Sequence, residues 1–303
     1  ADPDADGPGG QPLCQTLFRT RRLNESNALT RGIRILRLAF LVTLGVLFCF
    51  TAFPFVSSHT RQRMLQRWSL ALLHALGFEL AVEKSHDLPG ALLVANHVSW
   101  IDIFVINAVF PSAFISKEEV RHWPIAGWLA AKNDTVFLRR GSRGHARMIN
   151  EEIAGLLGQG RHVAVFPEGT TTDGTYLLHF HAALIQPALS AGHPVLPVAI
   201  SYWAPNGERS LAPRYDGDIS LRACLQSILG RQRLVARLVT TPPLGLNGED
   251  RRQVATAARL AIASAAGLPE PSNPPGLFSG PQAEVRSADR PIDSRSPAPA
   301  DCA

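Results

Sequence analysis

Residues 91–104, ALLVANHVSWIDIF, change within a few positions from an apolar run typical of a buried strand to an apolar run typical of a helix. His97 and Asp102 stand between the two runs, five positions apart. Inside one helix this spacing would put the two side chains on different faces, because each residue turns the helix by about 100°. They can meet only if His97 lies at the strand end and Asp102 lies in the first helical turn.

The pair has two interpretations. In the first, Ser99 caps the helix and Asp102 returns the hydrogen bond, since Ser-x-x-Asp before an apolar run is a capping-box pattern. In the second, the Asp102 carboxylate orients the His97 ring and stabilises the cation that forms when the other ring nitrogen takes a proton. Ligands bind at strand ends in open α/β sheets. The motif by itself leaves both interpretations open.

From about residue 82 onward, short strand-like runs alternate with segments of helical pattern. The expected strands are 91–96, 113–116, 135–139, 162–166, 194–202 and 233–241. The expected helices are 99–110, 119–132, 143–158, 179–191, 219–230 and 249–266. This alternation predicts an α/β domain with a mostly parallel, twisted sheet flanked by helices.

An apolar run precedes this domain. Residues 38–56 are 19 positions without a charge, which as a helix suffices to cross a hydrocarbon core of about 30 Å. Arginines flank the run on both sides, and the positive-inside rule then favours keeping both ends cytoplasmic; they are Arg31, Arg34, Arg37, Arg61, Arg63 and Arg67. A re-entrant insertion, with the next segment returning along the membrane interface, satisfies that bias better than a simple span. A single-pass anchor remains the alternative.

Composition divides the chain into four segments. Residues 1–30 are expected to be a disordered, basic N-terminus, 31–81 a membrane anchor with an interfacial helix, 82–268 the α/β domain, and 269–303 a disordered tail rich in proline and serine. The formal net charge of +5 fits an anionic partner. No nucleic-acid-binding motif is present, so anionic lipid is preferred. The four cysteines are scattered without metal-ligand spacing, and neither a disulfide framework nor a metal site is predicted.

Asn96, His97 and Asp102 resemble the NHx4D signature of the glycerolipid acyltransferase family, which includes the 1-acylglycerol-3-phosphate acyltransferases. Three later segments resemble the family's other blocks, in the family's order: 116–141, the FPEGT of 166–170, and the PVLPVAI of 194–200. The resemblance covers residues from about 80 to 210. It implies a glycerolphosphate-acyltransferase-like α/β fold with an N-terminal membrane-inserted helical segment.

The resemblance also implies a reaction, the transfer of an acyl group from acyl-CoA or acyl carrier protein to a lipid hydroxyl, with no bound cofactor. His97 would be the general base and Asp102 would orient it. Such a base suits the chemistry, since a neutral imidazole with a pKa of about 6.5 can activate an alcohol and a thiol with a pKa of about 8.5 leaves without strong acid help. The residues implied to bind substrate are Lys117, Arg140, Phe166, Pro167, Glu168, Gly169 and Thr170, with Arg140 on the anionic group and Glu168 on the acceptor hydroxyl.

Two positions depart from the family pattern. Thr171 replaces the usual arginine after FPEGT, and Phe180-His181 stands where the family often has Phe-Lys. The form FPEGTTTDG resembles the subgroup that includes lyso-ornithine lipid acyltransferases, whose acceptor lacks a glycerol phosphate.

The favoured acceptor at this point is 1-acylglycerol-3-phosphate, which would give phosphatidic acid. Lyso-ornithine lipid is the alternative acceptor. A non-catalytic lipid-binding membrane scaffold is the alternative of another class, and a lipid hydrolase is a third option. The expected partners are membrane lipids, the lysolipid and the acyl donor, and the expected location is the bacterial inner membrane with the domain facing the cytoplasm.

Overall fold

The structure, a computed structural model, describes residues 25–51, 55–86, 88–122, 127, 135–138 and 143–270. All of these residues belong to one compact unit, Ala1–Pro271. The predicted disordered segments fall almost entirely at residues 1–24 and 271–303, which lie outside the described residues.

Two helices open the described chain, α1 (Ala28–Thr51) and α2 (Ser58–Leu76). They form an antiparallel hairpin, as their contacts run in opposite chain directions. The Trp68 indole N–H donates to the Leu41 carbonyl at 2.8 Å, while nearer the hairpin base the Arg34 guanidinium lies over Gly77. Gly77 has a φ of 90° and ends α2 in the left-handed conformation that glycine adopts without strain. The segment after the apolar run is thus a helix that packs back along α1, and the re-entrant insertion stays a prediction.

The base of the hairpin is attached to the rest of the unit at several points. The Ser26 N–H donates to the Gly230 carbonyl at 3.0 Å, and Arg34 Nη1 donates to the Arg231 carbonyl at 2.6 Å. Farther along α2, the Gln66 side chain donates to the Ala108 carbonyl at 3.1 Å. Since α1 starts at the domain and α2 leads back into its first strand at Phe78, both ends of the hairpin are on the domain side.

The domain is built on a sheet of seven strands in the described residues. They are β1 (Phe78–Glu83), β2 (Leu92–Ala95), β3 (Ser112–Lys117), β4 (Val136–Leu138), β5 (His162–Val165), β6 (Val195–Trp203) and β7 (Leu234–Thr240). Their spatial order is β1-β7-β6-β2-β5-β3-β4, and each neighbouring pair is parallel except β6 with β7. The prediction of a mostly parallel sheet is confirmed.

Helices cover both faces of this sheet, as expected for a sheet with mainly buried parallel strands. One face packs against α2, α3 (Asp102–Val109) and α6 (Leu221–Leu229). The other packs against α4 (Arg143–Gly158), α5 (Gln186–Ser190) and α7 (Arg251–Ala266). Every residue of β2 is buried, because this strand lies at the centre of the sheet between β6 and β5.

Three element boundaries differ from the sequence expectation. The boundary placed between residues 81 and 82 falls inside β1, whose FELAVE sequence pairs in register with β7. The helix expected at 179–191 is replaced by a 3₁₀ turn, Ala182–Leu184, followed by the short α5. The helix expected at 119–132 begins as a 3₁₀ turn, Glu118–His122, and most of the remainder lies outside the described residues.

Candidate active site

The candidate site lies at the carboxyl ends of three adjacent parallel strands, β2, β5 and β6. His97 follows β2, the FPEGT segment follows β5, and Tyr202 is near the end of β6. Parallel strands that are neighbours in a sheet end at the same edge, so residues far apart in sequence come together there. We call this edge the catalytic corner, meaning residues 96–102, 166–172 and Tyr202.

The His97 and Asp102 side chains meet at this corner. His97 Nδ1 lies 2.8 Å from Asp102 Oδ2, with the histidine side chain 20% exposed and the aspartate fully buried. His97 is off the helix and Asp102 is the first residue of α3, which is the arrangement that the spacing requires. A carboxylate only accepts hydrogen bonds, so this contact suits the tautomer of the neutral ring with the proton on Nδ1. In that tautomer Nε2 keeps a lone pair, and no described residue hydrogen-bonds to it.

The Asp102 carboxylate also accepts bonds from the turn that precedes α3. Its Oδ2 accepts the backbone N–H of Val98 at 2.7 Å and that of Ser99 at 2.9 Å. The bond from Ser99 is half of the predicted capping box. The other half is absent in the described helix, because α3 begins after Ile101 without a side-chain cap. One carboxylate therefore closes the turn and holds the imidazole ring, and the two interpretations of the motif are both partly correct.

A third group on Asp102 comes from β6. The Tyr202 hydroxyl donates to Asp102 Oδ1 at 2.5 Å, and both side chains are buried. Burial raises the pKa of Tyr202 well above its ordinary value, and the Asp102 charge raises it further, so the phenol stays protonated and donates. Sequence reasoning missed Tyr202, since a tyrosine at the end of an apolar strand carries no local sign of a partner 100 residues earlier.

Other groups hold the His97 ring and backbone. The Phe166 ring stacks on the imidazole at 3.9 Å between centroids, with 9° between the planes. The His97 N–H donates to Glu168 Oε1 at 2.8 Å, and the His97 carbonyl accepts the Thr172 N–H at 2.9 Å. The ring and the backbone of His97 are thus fixed independently, and all three contacts come from the loop after β5.

Glu168 is placed differently from the sequence expectation. It was expected to accept a hydrogen bond from the acceptor hydroxyl, but it is 4% exposed and its second oxygen accepts the Leu178 N–H at 2.9 Å. Burial raises the pKa of Glu168 to about 7, against the effect of the Leu178 and His97 N–H groups, which lower it. A buried carboxylate needs donors, and here backbone groups of the protein supply them. Glu168 thereby links the loop after β2, at His97, to a later part of the loop after β5, at Leu178.

The rest of FPEGT forms a tight turn at the same edge. The Pro167 carbonyl accepts the His181 N–H at 2.9 Å, and Gly169 adopts a φ of 70°, a left-handed conformation that disfavours a side chain. Gly169 and Thr170 are exposed and are the members of this segment that a ligand in the corner would reach first.

Asn96, the first residue of the signature, has a structural role. Its side chain donates to the Ile200 carbonyl at 3.0 Å and accepts the Ile200 N–H at 2.8 Å. This pairing extends the contact between β2 and β6 by one residue and sets where His97 leaves the sheet. Of the predicted cations, Lys117 ends β3 at the same edge of the sheet, with its side chain outside the described set, and Arg140 lies outside the described residues altogether.

Comparison with known proteins gives a consistent result. The acyltransferase family profile matches residues 79–201. A lyso-ornithine lipid O-acyltransferase of Pseudomonas aeruginosa is 44% identical over 202 residues, which cover 67% of this chain and 78% of that protein. A 1-acyl-sn-glycerol-3-phosphate acyltransferase of Neisseria meningitidis is 41% identical over 174 residues, covering 57% of this chain and 68% of that protein.

The fold also has a counterpart among solved structures. The crystal structure of the 1-acyl-sn-glycerophosphate acyltransferase of Thermotoga maritima matches with a TM-score of 0.62 at 22% sequence identity. The match covers 82% of this chain and 96% of that chain, and at this identity it is a likeness of fold.

Proposed function

This chain belongs to the acyltransferase family, and we propose that it transfers a fatty acyl group from acyl-CoA or acyl carrier protein to the free hydroxyl of a lysolipid at a membrane surface. The observation that carries this proposal is the 2.8 Å contact between His97 Nδ1 and Asp102 Oδ2. It leaves Nε2 of a part-exposed imidazole as the basic atom of the corner.

In the proposed reaction His97 is the general base. Nε2 takes the proton of the acceptor hydroxyl while the oxygen attacks the carbonyl carbon of the thioester. When the tetrahedral intermediate collapses, the carbon–sulfur bond breaks and the sulfur takes a proton from the imidazolium. Asp102 stabilises that transient cation and holds the tautomer that keeps Nε2 free. A thiol is a good enough leaving group that one base suffices.

Phe166 and Glu168 act in this scheme as positioning residues. Stacking on Phe166 fixes the plane of the ring, and the bond from the His97 N–H to Glu168 fixes the backbone that carries it. A displacement of about 1 Å in a base costs a large part of its catalytic effect, so such support matters for rate. Gly169, Thr170, Lys117 and Arg140 remain the proposed substrate contacts.

The acceptor has two candidates. Lysophosphatidate follows from the resemblance in the four sequence blocks and from the relative of Neisseria meningitidis. Lyso-ornithine lipid is favoured by the relative of Pseudomonas aeruginosa and by Thr171, whose hydroxyl donates to the Tyr215 carbonyl where an arginine would offer charge. Both acceptors present a hydroxyl to the same base.

The helical hairpin supports a membrane-surface location. In the described residues α1 is the one helix long and apolar enough to cross a membrane, and its apolar side chains are exposed, Phe40 by 66%. Because both ends of the hairpin are attached to the domain, the proposed insertion is re-entrant, with the domain on the cytoplasmic side of a bacterial inner membrane. The acceptor then enters from the bilayer and the thioester arrives from the cytosol.

An acceptor assay tests this function. Purified full-length protein in detergent micelles is given labelled acyl-CoA, or acyl carrier protein bearing the same chain, with each lysolipid in turn. We expect a labelled two-chain lipid whose formation requires the lysolipid. Labelled free fatty acid without acylated lipid would identify a hydrolase, and no turnover with any pair of substrates would contradict the proposal and favour the lipid-binding scaffold.

A further inference from the structure

A short segment of the loop after β6 lies directly against the catalytic corner. The Tyr215 N–H donates to the Val98 carbonyl at 3.1 Å, and the Tyr215 carbonyl accepts the Thr171 hydroxyl. Val98 follows His97 in the chain, and Thr171 follows FPEGT. Residues 214–216 are therefore fastened to both loops that carry the site, and we call them the rim.

The rim carries one charge of each sign. Arg214 Nε lies 2.9 Å from Asp216 Oδ1, with the two side chains 40% and 22% exposed. Within the described residues, the terminal Nη nitrogens of Arg214 make no hydrogen bond, so the outer edge of the guanidinium can receive an anionic group. The pair is half-buried, and it holds both charges at the entrance to the corner.

The rim also lies near Tyr176, on the loop that carries the site. The Thr172 hydroxyl donates to the Tyr176 carbonyl at 3.3 Å, which places Tyr176 beside the corner. Partial burial raises the pKa of the Tyr176 phenol; Asp173, Asp216 and Glu168 raise it further, while Arg214 lowers it.

A phosphate monoester matches only one of the two rim charges. Its negative charge can pair with Arg214 but is repelled by Asp216. A headgroup with a carboxylate and an ammonium fits both signs. A guanidinium fork pairs with a carboxylate, and an aspartate accepts hydrogen bonds from an ammonium.

Resting on the acyl-transfer function proposed above, we infer that Arg214 and Asp216 read the acceptor headgroup and select a zwitterionic amino-acid lipid over lysophosphatidate. Arg214 binds the carboxylate of the headgroup and Asp216 binds its ammonium. Lyso-ornithine lipid has this chemistry, with both charges on the ornithine and the free hydroxyl on its amide-linked acyl chain. Arg214 of the rim supplies a positive charge in place of the arginine that the family usually has at the position of Thr171.

The competing explanation is an ordinary surface ion pair that only steadies its loop. The chain offers a matched pair for comparison, Arg237 with Glu83, in which Arg237 Nε lies 2.7 Å from Glu83 Oε1 and the side chains are 34% and 57% exposed. It joins β7 to β1 at one edge of the sheet, and the catalytic corner lies on strands nearer the centre. Substitutions there control for the loss of a similar pair.

The experiment measures kcat/KM of full-length protein in micelles for lyso-ornithine lipid and for lysophosphatidate. We expect Asp216→Asn to lower the value for lyso-ornithine lipid about tenfold and to raise that for lysophosphatidate about threefold, because a repelling charge is lost. Arg214→Gln should lower both, since each acceptor offers an anion. Asp216→Glu should keep the wild-type preference. The Arg237→Gln and Glu83→Gln controls should leave the ratio of the two values unchanged.

Several results would overturn the inference. One is a wild-type preference for lysophosphatidate, and another is an equal change of both values in Asp216→Asn, which would leave the pair a purely structural role. Thermal unfolding of each variant identifies a general loss of fold. If Asp216→Asn does not fold, the ratio of the two kcat/KM values for Asp216→Glu decides, and we expect it to match the wild type. If wild-type protein acylates neither lipid, the proposed function fails as well, whereas the inference alone fails when the wild type is active without the expected preference.

Discussion

Two apolar helices of this molecule, α1 and α3, have opposite surroundings. In α3, Val105 and Ile106 are fully buried between the sheet and α2, and Asp102 at its start is buried among hydrogen-bond donors. In α1, Leu36 is 73% and Phe40 66% exposed. Both helices are apolar, but the described chain leaves most of the α1 surface uncovered. The difference supports the proposal that lipid surrounds the exposed side of α1.

The largest expected effect separates the two regions by function. His97→Ala should lower kcat/KM about 10³-fold, because general-base catalysis by a positioned side chain contributes about 10²–10⁴-fold. Its binding to vesicles should not change, since the hairpin is untouched. His193→Ala, just before β6 at the opposite edge of the sheet, is the control. Activity of His97→Ala close to the wild-type value would remove this histidine from the mechanism.

The second effect concerns α1 alone. Phe40→Asp combined with Leu44→Asp should reduce partition into phospholipid vesicles at least about 100-fold, as each charge in the hydrocarbon region costs about 3 kcal/mol. Turnover of a short-chain, water-soluble acceptor should persist. Leu260→Asp, at a similarly exposed leucine of α7, provides the control. If the Phe40→Asp/Leu44→Asp variant and the Leu260→Asp control partition into vesicles equally, α1 does not enter the bilayer.

The third effect follows from the raised pKa of Glu168. A carboxyl with a pKa of 4.5 unfolded and about 7 folded binds its proton more tightly in the folded state. Its contribution to stability is therefore largest at low pH and is lost as the pH rises from 4.5 through 7. Between pH 5 and 7 the free energy of unfolding of the wild type should fall by about 2 kcal/mol more than that of Glu168→Gln. Chemical denaturation at several pH values measures the difference, and parallel curves would refute it.

The smallest effect concerns the hydroxyl on Asp102. Tyr202→Phe removes one donor from the carboxylate, which then holds the His97 cation more strongly. In the pH profile of kcat/KM, the acidic limb should shift to higher pH by as much as about one unit. At pH values below the limb, kcat/KM should fall by up to about tenfold. Phe78→Leu removes the ring that packs edge-on against Tyr202 but keeps the Tyr202 hydroxyl, so the acidic limb of this variant should stay in place. The same limb in all three proteins would leave Tyr202 a packing role only.

Much of the fold follows from local pattern. The positions of β2, β5, β6 and β7 follow from apolar runs, and the spacing of His97 and Asp102 states the one arrangement in which they can meet, which the structure has. The strand β1 was missed because only Gly77 separates its FELAVE sequence from the helical pattern of α2, so its apolar residues read as a continuation of that helix. Its pairing with β7 is a long-range contact, which local periodicity does not encode.

The composition of the site was only partly readable. FPEGT could be placed beside the histidine by family resemblance, but the direction of the Glu168 side chain could not, because it depends on which backbone donors the fold brings within reach. Tyr202 meets Asp102 from 100 positions along the chain, and Tyr215 of the rim bonds Thr171 from 44 positions away. Nothing in their own neighbourhoods marks them as site residues.

The sequence by itself determined the alternation of strands and helices, the apolar character of α1 and the one arrangement in which His97 can meet Asp102, since each depends on spacing within one short segment. The tertiary structure decided which strands are neighbours, and therefore which side chains surround that histidine. The physical reason is that a parallel sheet joins its strands by crossovers, so that the residues sharing one edge are set by strand order and not by distance along the chain.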